Sequence, residues 1–155
     1  MNIKNFVIDV DGVLSTGQFF YTSEGKVMKV FGPHDSDGIK LIKNIVQIRF
    51  ITADWRGFDI TKKRIDDMNC PLELVSEEQR FGYIEDIGFE HTAFMGDGYF
   101  DAKIMPHVAW AFAPKNARKE CLDAADYVTP SRAGEGAVMD ACLFLKKVLE
   151  NESEN

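Results

Sequence analysis

The chain has 155 residues, 45% hydrophobic and 28% charged, with a formal net charge of -7. That length suits one domain with one sizeable core, and the acidic balance argues against binding nucleic acid or an anionic membrane through bulk electrostatics. Cys70, Cys121 and Cys142 form no CxxC pair, which disfavours a disulfide framework. With no signal-like leader and no apolar run of membrane-spanning length, the expectation is a soluble, cytoplasmic protein.

In chain order, residues 3–10 pattern as a buried strand that delivers two acids, Asp9 and Asp11, at its end. Residues 18–31 pattern as a hairpin, with arms QFFYT and KVMKVF joined across Ser23-Glu24-Gly25. The periodicity then predicts a helix over 36–44, a strand over 45–51, a helix over 57–68, a short strand over 72–75 and a helix over 77–87 that Gly88 can end. A strand over 92–95 follows, then a short helix over 101–105 stopped near Pro106, a strand over 108–113 and a helix over 117–125. A last short strand covers 127–129, and a helix over 136–149 aligns Val138, Cys142, Leu145 and Leu149 on one stripe. Residues 1–150 read as a single domain without linker or repeat, and 151–155 as a polar tail. Strands alternating with helices imply an α/β fold: a mostly parallel sheet with helices on both faces. In such sheets ligands sit beyond the carboxyl ends of the strands.

Asp9 and Asp11 stand at such an end. Two neighbouring carboxylates repel unless a cation neutralises them, and magnesium suits an all-oxygen site that also takes a phosphate. The competing explanation is a pair of turn-capping acids before Gly12. A second strand ends in FMGDGYFD, presenting Asp97 and Asp101, with Gly96 and Gly98 permitting a tight turn. Alone, Asp97 reads better as a helix cap; alongside DVDG, metal binding becomes the stronger reading. A third strand ends in Thr52, whose hydroxyl and neighbouring amides suit a phosphate oxygen or, equally, a helix cap.

These stretches, in this order, resemble the haloacid dehalogenase (HAD) superfamily of phosphohydrolases. DVDGV matches the first motif, DxDx[TV]; Thr52 in FITAD matches the second; GDGYFD matches the fourth, GDxxxD; and Arg80 in SEEQRFGYI is the candidate for the basic third motif. HDSDGIKLIKN, Arg64 and DYVTPSRAGEGAVMDAC further resemble the small capless 3-deoxy-D-manno-octulosonate 8-phosphate phosphatase group, to which the acylneuraminate 9-phosphate phosphatases are similar. The resemblance implies a Rossmann-like HAD fold with a short β-hairpin in place of a cap domain. It also implies hydrolysis of a small phosphorylated sugar or sugar acid, and a homotetramer in which a neighbouring subunit helps close each site. Asp9 would be the nucleophile and Asp11 the acid–base. Mg2+ would sit between Asp9, the Asp11 carbonyl and Asp97, with Asp101 in support. Thr52, Ala53 and Arg80 would bind the phosphoryl group.

The chain departs from the group's pattern at four places. Arg80 replaces lysine, Asp54 stands where TGR has arginine, Met139 replaces another arginine, and GDGYF lacks the second acid and the asparagine of GDDxND. The second and third changes remove cations that could contact an anionic sugar acid. An outward-facing, solvated Asp54 is the simpler expectation for that position. Phe19, Phe20 and Tyr21 alternate poorly with polar residues, so the hairpin keeps an apolar face that suggests an oligomer contact. A catalytically degenerate module used for oligomerisation or ligand binding is the alternative to an enzyme. A signalling receiver domain is a third, disfavoured because the 45–51 strand runs into Thr52 where that fold carries its phosphoacceptor.

Overall fold

The structure is a computed structural model that describes residues 2–154. In chain order the elements are β1 (Asn5–Asp9), β2 (Ser15–Thr22), β3 (Gly25–Phe31), α1 (Asp35–Ile42), β4 (Gln47–Thr52), α2 (Phe58–Asp67), β5 (Leu72–Leu74), α3 (Glu77–Ile87), β6 (Thr92–Met95), β7 (Trp110–Ala113), α4 (Lys119–Ala124), β8 (Tyr127–Val128) and α5 (Ala137–Ser153). Six strands form one sheet in the order β5-β4-β1-β6-β7-β8, every pair parallel. β2 and β3 pair separately as an antiparallel hairpin. This is the expected α/β architecture with a hairpin where a cap domain would sit.

All five residues of β1 are buried, which explains why Phe6, Val7 and Ile8 form an unbroken apolar run rather than alternating with polar residues. Alternation still sorts its side chains. Phe6 and Ile8 join one core with Ile39 and Ile42 of α1 and Val138, Cys142 and Leu145 of α5. Val7 joins the other with Ile51, Phe94, Ile84 of α3 and Cys121 of α4. Parity therefore turns Asp9 toward the α3 face, the side from which Arg80 arrives.

Several boundaries differ from the sequence expectation, and three have identifiable reasons. β4 starts at Gln47, because the Ile45 and Val46 amides both still bond the Ile42 carbonyl at the end of α1; Ile45 is left half exposed. Pro106 does not stop a helix. It sits inside a second short 3-10 turn, Met105–His107, near a start that needs no amide donor. The final helix runs on through Ser153 rather than ending before a polar tail. Lys146 pairs with Glu150 one turn on, and the Ser153 hydroxyl donates to the Glu150 carbonyl. Residue 155 lies outside the described residues.

Phe112 packs against Phe6 and Phe144 with ring centroids 5.6 and 5.8 Å apart, tying β7 to β1 and α5. Phe112→Ala is expected to destabilise the fold by about 3–5 kcal/mol, read as a lower urea midpoint; an unchanged midpoint would contradict this packing.

Candidate active site

The chain leaves β1 through a five-residue turn, Val10–Leu14, in which Gly12 adopts φ +79°. A Cβ at Gly12 would lie 2.0 Å from an Asp97 carboxylate oxygen. Only glycine lets the first turn approach the end of β6 this closely. β1 and β6 are direct neighbours, with Ile8 opposite Met95. Their ends therefore bring Asp9, Asp97 and Asp101 together, each offering one oxygen, all within 4.8 Å of one another.

α3 supplies the cation. Ser76 and Gln79 form a reciprocal capping box that fixes the start of the helix. In its second turn the buried Arg80 reaches Asp101 Oδ1 at 2.6 Å and Asp9 Oδ2 at 3.3 Å. The other Asp101 oxygen accepts the Asp97 and Gly98 amides, both at 3.1 Å. With both oxygens engaged, Asp101 shapes the turn and steadies Arg80.

Asp11 is held differently. Thr52 at the end of β4 donates its hydroxyl to Asp11 Oδ2 at 2.7 Å, and Lys29 of the hairpin donates to Oδ1 at 2.7 Å. The Thr52 hydroxyl also accepts the Asp54 amide at 3.1 Å. These groups surround a cleft of about 450 Å³, whose lining includes Asp9, Asp11, Ala53, Arg80, Asp97 and Asp101. Phe19, Trp55 and Phe100 contribute aromatic faces, and Lys26 and Arg56 positive charge.

The sequence model of the haloacid dehalogenase-like hydrolase family matches residues 39–141. The chain belongs to that family. It is 32% identical over 142 residues to the 3-deoxy-D-manno-octulosonate 8-phosphate phosphatase of Haemophilus influenzae, covering 88% of this chain and 78% of the relative. A cobalt-bound structure of the Haemophilus influenzae phosphatase superposes with TM-score 0.81 at 28% identity, covering 96% of this chain and 90% of that one. The Moraxella catarrhalis phosphatase, solved with magnesium, phosphate and a KDO molecule, gives TM-score 0.79 at 27% identity, covering 96% and 88%.

All seven residues singled out as HAD site residues, Asp9, Asp11, Thr52, Ala53, Arg80, Asp97 and Asp101, converge at this one sheet edge. Thr52 is fully buried and bonded to Asp11 rather than open to the cleft. Asp54 is not a solvated, outward-facing acid. Its carboxylate is 15% exposed and takes Lys26 at 2.7 Å and Lys29 at 2.9 Å, because the hairpin folds back over the β4–α2 turn. Lys26 and Lys29 escaped the sequence reading, since KVMKVF reads simply as a strand with polar positions. No sequence pattern marks them, because their partners Asp11 and Asp54 are brought near only by the fold.

The donor set suits a hard divalent cation: it is oxygens only, one from each of Asp9, Asp97 and Asp101. Three carboxylates face one guanidinium, so the cluster carries excess negative charge. Burial pushes the Asp9 carboxyl well above the ordinary range; Arg80 pulls it down while Asp101, Asp97 and Asp11 push it up. Burial raises Asp97 to about 6, against a hydrogen bond with Asp9 that works the other way. For Arg80, burial disfavours the cation, but Asp9 and Asp101 outweigh it and hold its pKa above the usual guanidinium value.

A folded-state pKa of about 6 against 3.8 when unfolded means that the native state binds the Asp97 proton more tightly. The stability this contributes is present at low pH and is lost as pH rises through about 4 to 6. In melts with chelator present, Asp97→Asn should therefore gain stability over wild type as pH rises across that window. Parallel pH profiles for the two proteins would contradict the assignment.

Proposed function

We propose that the chain is a magnesium-dependent phosphomonoester hydrolase acting on a small phosphorylated sugar or sugar acid through an aspartyl phosphate on Asp9. Its standing as a HAD-type phosphatase rests on the family match and on relatives of that activity across most of its length. The observation that carries the reading is the pairing of Asp9 with Arg80 in a cleft where Asp97 and Asp101 also converge. Asp9 and Asp97, with the Asp11 backbone carbonyl, would hold the ion, which supplies charge shielding between the phosphoryl group and the attacking carboxylate.

Asp9 attacks phosphorus, and the bond to the leaving oxygen breaks as Asp11 delivers a proton to it. Asp11 then takes a proton from water as that water attacks the acyl phosphate, releasing inorganic phosphate and restoring Asp9. Arg80, the Ala53 amide and the Thr52 hydroxyl bind phosphoryl oxygens, Thr52 giving up its bond to Asp11 to do so. The spacing of the two acids fits this division of labour: one touches phosphorus and the other the leaving oxygen.

A sugar acid related to 3-deoxy-D-manno-octulosonate 8-phosphate is the first substrate to test. Asp54 and Met139 do not supply the arginines of the usual pattern, but Arg56 lines the cleft and offers positive charge, whereas Lys26 there is paired with Asp54. Arg56 lies over the Trp55 ring, 4.3 Å from its centroid. Phe19, Trp55 and Phe100 offer flat apolar faces of the kind that cover a sugar ring. A panel of sugar phosphates with Mg2+ should show turnover by wild type and none by Asp9→Asn. Arg80→Met should lose about 10²–10³-fold in kcat/KM. Equal background from wild type and Asp9→Asn on every substrate would refute the reading.

The hairpin leaves Phe19, Phe20, Tyr21 and Met28 half exposed or more, with Val27 and Val30 beside them. An apolar patch of this kind supports a homo-oligomer, and the family resemblance favours a tetramer. Among the described residues, no helix is long and apolar enough to cross a membrane. Size-exclusion chromatography with light scattering should show a tetramer for wild type and smaller species for Phe20→Asp; a monomeric wild type would overturn this part.

A further inference from the structure

Asp54 occupies the position where the sequence pattern of similar phosphatases has arginine, so its charge is reversed there. Its Oδ2 accepts from Lys26 at 2.7 Å and Lys29 at 2.9 Å, and its Oδ1 from the Gly57 amide at 3.1 Å. The Lys29 side chain is only 2% exposed, and its remaining partners are Asp11 Oδ1 and Thr61 Oγ1, both at 2.7 Å. An ammonium has three hydrogens to donate, and Asp11, Asp54 and Thr61 are its three acceptors.

Two lysines three residues apart on a regular strand would point to opposite faces. Here they converge because the hairpin register slips: Phe20 pairs with Met28, Tyr21 pairs with Lys26, and Val27 is left without a partner. This β-bulge inserts one residue into β3 and resets the alternation, turning Lys26 to the side of Lys29. Phe19, opposite Lys29, shares that side; Lys26 lies 4.1 Å from its ring centroid. Phe19, Lys26 and Asp54 all line the cleft. One carboxylate thus joins the hairpin, the turn after β4 and, through Lys29, the side chain of Asp11.

We propose that Asp54 is a positioning residue: through Lys29 it fixes the direction of the Asp11 carboxylate, and through Lys26 it holds the hairpin across the mouth of the cleft. The first half rests on the phosphatase reading above; the second does not. Burial works against the Asp54 anion, but the bonds from Lys26, Lys29 and the Gly57 amide hold its pKa down at about 2, so the tie persists across the working pH range. Removing the charge leaves the buried Lys29 one acceptor short and frees it to swing from Asp11. Arginine at this position would face two lysines, so the bulge and the acid belong together.

The test combines steady-state kinetics on a substrate turned over with Mg2+ and hydrogen–deuterium exchange of the hairpin. Asp54→Asn should lower kcat about tenfold or more, the loss expected for a small misplacement of a reacting group, with a smaller change in KM. Asp54→Glu should recover most of kcat. The double variant Asp54→Asn/Lys29→Met should be no slower than Lys29→Met alone, because Asp54 acts through that lysine. Amides of residues 19–31 should exchange faster in Asp54→Asn. Losses that multiply, a defect confined to KM, or no recovery with glutamate would overturn the Asp11 half; unchanged exchange would overturn the hairpin half. Should Lys29→Met fail to fold, the Asn and Glu variants decide the kinetic half. Failure of the phosphatase reading looks different, as a wild type no faster than Asp9→Asn on any substrate. The Asp11 half then falls with it, and exchange alone decides the hairpin half.

Discussion

Mutual repulsion among carboxylates governs this molecule. Parallel β1 and β6 drive Asp9 and Asp97 to the same edge, and the turn that follows β6 adds Asp101. The pull of Arg80 is smaller than the burial penalty on Asp9, and burial likewise lifts Asp97, so these two acids sit above their ordinary pKa range. An arrangement this unfavourable persists because the sheet core on both faces holds it, and because a divalent cation and a phosphoryl group can exploit it. The left-handed Gly12 exists to allow this approach, and the capped start of α3 exists to aim Arg80.

Around this centre the charges divide into two sets. Asp9, Asp97, Asp101 and Arg80 form an acidic set with room for a cation. Asp11, Asp54, Lys26 and Lys29 form a second, balanced set of two acids and two bases. The two acids of DVDG thus lie two residues apart yet in opposite electrostatic surroundings: one beside excess negative charge, the other clamped by a lysine and a threonine. The excess negative charge around Asp9 is what a bound divalent cation would offset, while Lys29 and Thr52 fix the direction of the Asp11 carboxylate. The hairpin is therefore part of the site's wiring as well as a substitute for a cap, since it contributes the lysine that touches Asp11.

Much of this was legible in the sequence. Alternating strand and helix patterns gave the sheet, and acids placed just after apolar runs marked its functional edge, because parallel α/β sheets leave little choice about where strand ends point. Arg80 is the basic residue that precedes the fourth-motif strand, and although lysine is usual there and the segment to Gly96 is short, the fold brings its guanidinium to Asp9. What escaped depended on geometry that no pattern records. Lys26 and Lys29 face one way only because Val27 is squeezed out of the hairpin ladder, and strict alternation would have separated them. Asp54 looked like a surface acid because its partners lie far off in sequence, on the hairpin. The fate of Pro106 and of the final polar residues turned on local hydrogen bonding, which shifts helix ends without changing the fold.

Hydrolysis through Asp9 requires a transient covalent bond between that carboxylate and phosphorus. Quenching the Mg2+-dependent reaction during turnover, reducing the acyl phosphate with borohydride and mapping the peptides by mass spectrometry tests it directly. Asp9, and no other acid, should be converted to homoserine in a substrate-dependent manner. Turnover with an unmodified Asp9, or with the label at Asp11 or Asp97, would contradict it.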